Sequence, residues 1–381
     1  MKLVKFTYSQ FENHPDEWVI KDFTLGDINL IVGSNATGKT RTLNVIRGLA
    51  DLVSEVETLQ WQDGKYEAEF LNSVETMKYN LEYHNGNVAF EQLAIGSQIY
   101  LNRGEKGVGE IFAQQLNQRI QFQSPANRVA VFAKRDEIQH PFLEKLYSWG
   151  KGLLRYDFGT TMGRDLLALQ PNNDANTVPD VNPRDTQKAV EFFHRGQEKF
   201  GEQFIQAVIH DMAQIGYELT QIGVAIPPGV KVKSTIGNLD VNPIALFIEE
   251  NGIQDKIYQT SISQGMFRAL SILIQFNYAF FASEPSCILI DDIGEGLDFR
   301  RSSSLIKLLI EKVKQTSAQL IMTTNDRFVM NNVPLEYWIL LERQGSEIIS
   351  HNYRNSKQMF DDFELTGLNN FDLFSINYYK R

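Results

Sequence analysis

The chain has 381 residues, 43% of them hydrophobic and 22% charged, enough to bury a sizeable core in one large or two ordinary domains. Its net charge of −10 has the wrong sign for a protein that binds nucleic acid over its whole surface, and no dense Lys/Arg block offsets it. MKLVKFTYSQ lacks the apolar segment of a secretory signal and the apolar run over 270–281 is too short to span a bilayer. The single cysteine, Cys287, has no intrachain partner, so a reducing cytoplasm is the expected compartment and no membrane partner is expected.

Residues 3–8 and 18–23 read as short strands, and INLIV at 28–32 as a buried strand running into a glycine-bounded loop. Leu43, Val45, Ile46, Leu49 and Leu52 then recur at helical spacings over 40–53. From 61 to about 133, short alternating segments predict an antiparallel β-layer, with Asn85-Gly86 marking a tight hairpin. The stretch PNNDANTVPDVNPRD at 171–185 reads as a linker. Val190, Phe193, Phe200, Phe204, Val208, Met212 and Ile215 follow spacings of three, four and seven, which predicts about thirty residues of helix, at most roughly 45 Å long. Beyond 230 the texture is α/β. Strands are expected over 244–249, 286–290 and 319–323, with helices over 263–282 and 302–314.

The sharpest chemistry lies at Gly33-Ser34-Asn35-Ala36-Thr37-Gly38-Lys39-Thr40, a full match to G-x-x-x-x-G-K-[ST] between a strand and a helix. Such a loop turns successive backbone N–H groups inward as an anion nest, and the helix adds the positive end of its dipole. Lys39 is expected on the β- and γ-phosphates of ATP and the Thr40 hydroxyl on Mg²⁺. Cys287-Ile-Leu-Ile-Asp-Asp292 is an apolar strand ending in two carboxylates. Asp291 is expected in the Mg²⁺ shell and Asp292 beside the attacking water. The six histidines show no metal-ligand spacing such as H-E-x-x-H, so no zinc site is expected.

Upstream of that strand stands Ser263-Gln-Gly265, just downstream Gly294-Glu-Gly-Leu-Asp298, and further on Thr323-Thr-Asn325-Asp326. In this order the motifs resemble the ABC-type ATPase heads, and most closely the OLD-type (overcoming lysogenization defect) ATPases. The resemblance implies an α/β P-loop NTPase of ABC ATPase type, a mixed sheet with an antiparallel β-layer and a helical insertion. Residues 1–160 and 228–381 would be two lobes of one head, with 161–227 as linker and insertion. It also implies a head-to-tail homodimer in which each ATP lies between one P-loop and the partner's signature. Ser263 and Gly265 would then reach the γ-phosphate of the other subunit, and Asp298 would link the two sites. A glutamine on Mg²⁺ would follow the antiparallel layer (Gln121, Gln123 or Gln139), and an aromatic on adenine would be Phe6, Tyr8 or Phe11, positions whose first reading is core packing.

Two positions depart from that pattern. Asp292 stands where the family has glutamate, one methylene longer, and a displacement near 1 Å costs on the order of 100-fold in rate. Asn325 stands where a histidine is usual, and an amide can hydrogen-bond a phosphate but cannot carry a proton away. Glu295 is an alternative base. These changes predict a slow, state-holding ATPase; the competing expectation is a scaffold that binds ATP and barely cleaves it. Many OLD-type ATPases carry a C-terminal nuclease, for which the residues after the switch strand leave no room. A separate effector is therefore expected, by analogy in bacterial anti-phage defence. The aromatic- and Asn/Asp-rich tail over 360–375 is expected to pack on its own head or to receive that effector.

Overall fold

The chain begins with β1 (Lys2–Gln10), β2 (Trp18–Thr24) and β3 (Ile28–Val32), followed by α1 (Lys39–Ser54). This is a computed structural model that describes all residues except 56–58, 60, 73–74, 172–180, 231–233, 237–238, 253–254, 283–284 and 381. An antiparallel run follows: β4 (Asp63–Asn72), β5 (Glu75–His84), β6 (Asn87–Ile95), β7 (Gln98–Arg103), β8 (Val108–Ala113) and β9 (Gln118–Gln123). The β5–β6 turn has Asn85 and Gly86 both at positive φ (49° and 71°), the two-residue hairpin that Asn-Gly favours. Then come α2 (Ala130–Ala133), α3 (Pro141–Lys151) and β10 (Leu153–Asp157).

The middle of the chain supplies β11 (Ala168–Pro171), α4 (Ala189–Phe200), α5 (Glu202–Gln214), β12 (Leu219–Ala225), β13 (Ser234–Ile236), β14 (Leu239–Glu250) and β15 (Ile257–Tyr258). β14 is the spine of a small antiparallel sheet that pairs with the other four strands. Most of the expected linker, 172–180, lies outside the described residues. The last third comprises α6 (Gln264–Ala282), β16 (Cys287–Asp291), α7 (Phe299–Lys314), β17 (Gln319–Thr323), α8 (Arg327–Asn332), β18 (Trp338–Gln344), β19 (Glu347–Asn352), α9 (Lys357–Glu364) and α10 (Asn370–Ser375).

One mixed sheet of fourteen strands organises the molecule, in the order β10-β16-β17-β3-β18-β19-β2-β1-β4-β5-β6-β7-β8-β9. The first five are mutually parallel and covered on both faces, which explains their unbroken apolar runs. Alternate residues serve different cores. Leu30, Ile288, Ile290, Leu320 and Met322 face α4 to α7, whereas Ile31, Cys287, Leu289 and Ile321 face α1, α3 and the antiparallel layer. Because β3, β16 and β17 are parallel, their C-terminal ends share one edge of the sheet, where ligands of open α/β sheets bind.

The long helix expected after 189 is two helices. Gly201 adopts φ 62° and ψ −145°, a conformation essentially closed to residues with a Cβ, and the chain reverses there. Phe204 packs on Phe193 at 5.8 Å and against Gly196, where a Cβ would lie 2.4 Å from its ring. Both helices press on α6 within the same core as the parallel strands, and Asp211 binds Lys312 of α7 (2.8 Å) and Asn277 of α6 (2.6 Å). Gly201→Ala is therefore expected to cost about 1–3 kcal/mol, read as a lower midpoint in urea unfolding. In the tail, Phe360, Phe363 and Leu373 are fully buried in that core, so the tail packs on its own head.

Candidate functional site

β3 delivers the loop Gly33–Gly38 to the edge of the sheet. Ser34, Asn35 and Ala36 form its exposed crest, and Ala36 and Gly38 both take positive φ (65° and 101°). Alternation of this kind points successive N–H groups into the concavity. Gly38 backs onto Trp18, where a Cβ would come within 3.3 Å of the indole, and Arg41 lies over that same ring at 4.5 Å. Lys39 is folded across the loop, its Nζ donating to Gly33 O (2.7 Å) and Ser34 O (3.3 Å). Burial pushes its pKa down, opposed by the nearby Asp292 and Asp291.

At the second residue of α1, the Thr40 hydroxyl donates to Asp291 Oδ1 at 3.2 Å. The same oxygen receives the Thr323 hydroxyl at 2.5 Å, and Arg155 Nη2 stands 3.7 Å from Asp291 Oδ2. Thr323 Oγ1 also accepts the Asp292 N–H at 2.9 Å, fixing Asp292 at φ 53°, just past the strand end. Asn325 Nδ2 then donates to Asp292 Oδ1 at 3.2 Å. Partial burial, with Asp291 and Glu295 close by, pushes the Asp292 carboxyl above its usual range, opposed by Lys39. Lys39, Thr40, Asp291, Asp292 and Asn325 thus converge from three separate stretches of chain.

Ser263, Gly265 and Asp298 form a second cluster. Ser263 is exposed at the start of α6, where its Oγ accepts the Met266 N–H at 3.3 Å. Gly265 is pressed onto the loop after β16, where a Cβ would sit 2.3 Å from Gly296 O. Asp298 caps α7 by accepting the N–H groups of Arg300 and Arg301 and is half exposed. Glu295 reaches back towards the first cluster at Gly159, where a Cβ would meet Glu295 Oε2 at 2.8 Å and Asp292 Cβ at 3.4 Å.

Other expectations move. Gln121 and Gln123 lie on β9, the outermost strand at the opposite end of the sheet from β10, and Gln139 pairs through its carbonyl with Gln114. Instead, β10 lies beside β16 with Asp157 in register with Asp291, and Arg155 binds Asp157 (2.9 Å) and Asn44 of α1. Sequence reasoning missed Arg155 and Asp157 because β10 is five residues long and follows a helix directly. Phe6 and Tyr8 are core residues packed on Phe23 (5.1 Å) and Tyr66 (4.6 Å), while Phe11 is half-buried beside His14. A cavity of about 420 Å³ opens beside the loop crest, bounded by Ser34 to Thr37, Arg343, Tyr379 and Lys380.

The donor set fits a hard divalent cation. One hydroxyl and one carboxylate oxygen already meet across the gap between α1 and β16, and hard cations such as Mg²⁺ take oxygen ligands. The exposed crest, the positive-φ backbone and the Lys39 ammonium fit a phosphate chain. Among the described residues, no helix is long and apolar enough to cross a membrane.

Known proteins point the same way. Over residues 28–331, four-fifths of the chain, the sequence matches the family described as "AAA domain, putative AbiEii toxin, Type IV TA system". No curated protein matches the chain. Among solved structures, the SMC head bound to the C-winged helix domain of ScpA is similar, with a TM-score of 0.50 and 10% identity, covering 94% of this chain and 99% of that one. The SMC head domain from Thermotoga maritima gives a TM-score of 0.44 at 12% identity, covering 92% and 99%. An SMC head from Pyrococcus furiosus, bound to the C-terminal domain of ScpA, gives 0.48 at 9%, covering 95% and 99%. The fold is therefore that of an α/β P-loop ATPase head, and the chain belongs to the AAA-domain ATPase family whose model it matches.

Proposed function

We propose that the protein is a slow ATP-hydrolysing switch that works as a head-to-tail homodimer and passes its nucleotide state to a separate effector. The observation that carries this is the hydrogen-bonded chain Thr40–Asp291–Thr323–Asp292–Asn325 at the mouth of the Gly33–Gly38 loop. Phosphates in the loop would receive its inward N–H groups, and Lys39 would exchange two carbonyls for β- and γ-oxygens, a charge-assisted contact. Thr40 and Asp291 would hold Mg²⁺, which when bound would supply charge neutralisation to the phosphates. Asp292, with its raised pKa, is suited to accept a proton from the attacking water as that oxygen bonds to the γ-phosphorus and ADP departs. Asn325 orients the carboxylate without supplying charge.

Ser263 stands exposed at the N-terminus of the nineteen-residue α6, as a group that completes a second subunit's site must. The likeness of the motif order to OLD-type ATPases, and the toxin–antitoxin wording of the family, support a bacterial defence setting with a separate effector. The similar SMC head is bound by another chain, in line with that arrangement. A second reading, an ATP-gated scaffold with negligible turnover, is favoured by the short Asp292 and the neutral Asn325.

The test pairs turnover with assembly state. Lys39→Ala is expected to weaken ATP binding about 10- to 150-fold, the worth of a charge-assisted contact, and to abolish both ATP-dependent dimerisation and phosphate release. Dimerisation without phosphate release in the wild type would select the scaffold. A monomer that hydrolyses ATP would refute the shared site.

A further inference from the structure

The two clusters of the site are joined by one buried side chain. Arg268, on the second turn of α6, is 9% exposed, and its guanidinium faces away from solvent into the seam between three segments. Its Nε donates to Thr160 O (2.7 Å) and its Nη2 to Gly159 O (2.7 Å), both just past the end of β10. Its Nη1 donates to Glu295 O (2.9 Å), in the loop after Asp292, and stands 3.9 Å from that residue's carboxylate. A planar fork that binds three main-chain carbonyls in fixed directions is a joint, since each bond constrains backbone and not a movable side-chain tip.

What the joint connects gives it a role. Gly159 touches Asp292 and Glu295, and Gly265 touches Gly296. A shift of α6 is therefore felt by the 292–297 loop, because Arg268 and Gly265 both engage it and Arg268 also holds Gly159, which packs against Asp292 and Glu295. Packed backbone this close transmits displacement. Ser263 and Gly265 lie at the start of the same helix, one turn from Arg268.

We infer that Arg268 is a positioning residue that couples the Ser263–Gly265 end of α6 to the placement of Asp292 in the same chain. The inference rests on the homodimer reading above. In that arrangement α6 engages the partner's nucleotide while Asp292 acts on its own. Arg268 is then the element that makes turnover at one site depend on occupancy of the other, and cooperative hydrolysis follows.

The experiment compares wild type with Arg268→Met and Arg268→Lys, full length. It measures affinity for a fluorescent ATP analogue, ATP-dependent dimerisation, and phosphate release against ATP concentration. For Arg268→Met the expected result is an affinity within about twofold of wild type and retained dimerisation. Its kcat falls at least tenfold and its Hill coefficient drops to 1. Arg268→Lys, which keeps the charge but not the fork, should recover part of the kcat. Unchanged kcat and Hill coefficient in Arg268→Met overturn the coupling. So does a parallel loss of folding and nucleotide binding in both variants, which would make Arg268 a structural pin only. If the wild type neither dimerises nor turns over, the switch reading fails separately. The joint is then read by hydrogen exchange: ATP-induced protection of residues 292–297 that disappears in Arg268→Met supports it, and protection that persists overturns it.

Discussion

Asp292→Asn is expected to lower ATP turnover about 1000-fold, within the usual worth of a general base, while ATP binding stays intact and the nucleotide-free protein becomes slightly more stable. The substitution changes little besides charge. The Asp292 N–H bond to Thr323 is made by the main chain, and an asparagine Oδ1 can still accept from Asn325. At φ 53° the residue occupies the left-handed region, where asparagine is at least as comfortable as aspartate. The stability gain follows from the raised pKa. A carboxyl harder to ionise in the folded than in the unfolded chain lowers stability progressively as pH climbs from the ordinary aspartate value, about 3.9, through its folded value. Above both, the full cost persists, and a neutral amide removes it. The variant should melt about 1–2 °C above wild type near pH 7, with the gap closing towards pH 4. Phosphate release and thermal melts across pH decide it. Turnover within fivefold of wild type would transfer the base role elsewhere, Glu295 being the carboxylate that approaches Asp292 across Gly159.

How far the sequence could be read depended on whether a feature is local. The loop, α1, β16 and β17 were legible because each carries its own periodicity and its chemistry sits at its end. The convergence of Lys39, Thr40, Asp291, Asp292 and Asn325 then follows from three parallel strands sharing an edge. The Asn85-Gly86 hairpin was legible because two positive φ angles narrow the choice of residues so sharply.

Other features were not local. LLRYD, five residues after an amphipathic helix, has too short a run to show a period, so β10 and its Arg155 and Asp157 went unseen. Gly201 sits inside a helical spacing that continues undisturbed through it, since α4 and α5 bury the same face against α6; only its φ and ψ reveal the reversal. Arg268 was invisible for a different reason. Its partners are carbonyl oxygens more than twenty-five residues away, and a backbone acceptor leaves no trace in residue identity.

Glu91→Ala is expected to cost about 3–5 kcal/mol, the price of stranding one member of a buried ion pair. Glu91 and Arg103 are both fully buried, 3.3 Å apart, on adjacent strands β6 and β7. Glu91 also accepts the N–H groups of Ala130 (2.7 Å) and Val131 (2.9 Å) and the Tyr79 hydroxyl (3.2 Å). Arg103 donates in turn to the carbonyls of Pro125 and Arg128. The pair therefore ties the 125–131 connection onto the antiparallel layer, ahead of α3, which packs directly on α1 with Gly150 against Ala50 O. Removing the carboxylate leaves a desolvated guanidinium and two orphaned N–H groups; removing both charges leaves no buried ion. Glu91→Met with Arg103→Met should thus be less destabilised than the sum of the single variants, by about 1–3 kcal/mol of coupling. Denaturant unfolding of the four proteins measures this. Additive losses would mean that the carbonyl and N–H contacts, and not the ion pair, hold the layer to the helices behind the phosphate-binding loop.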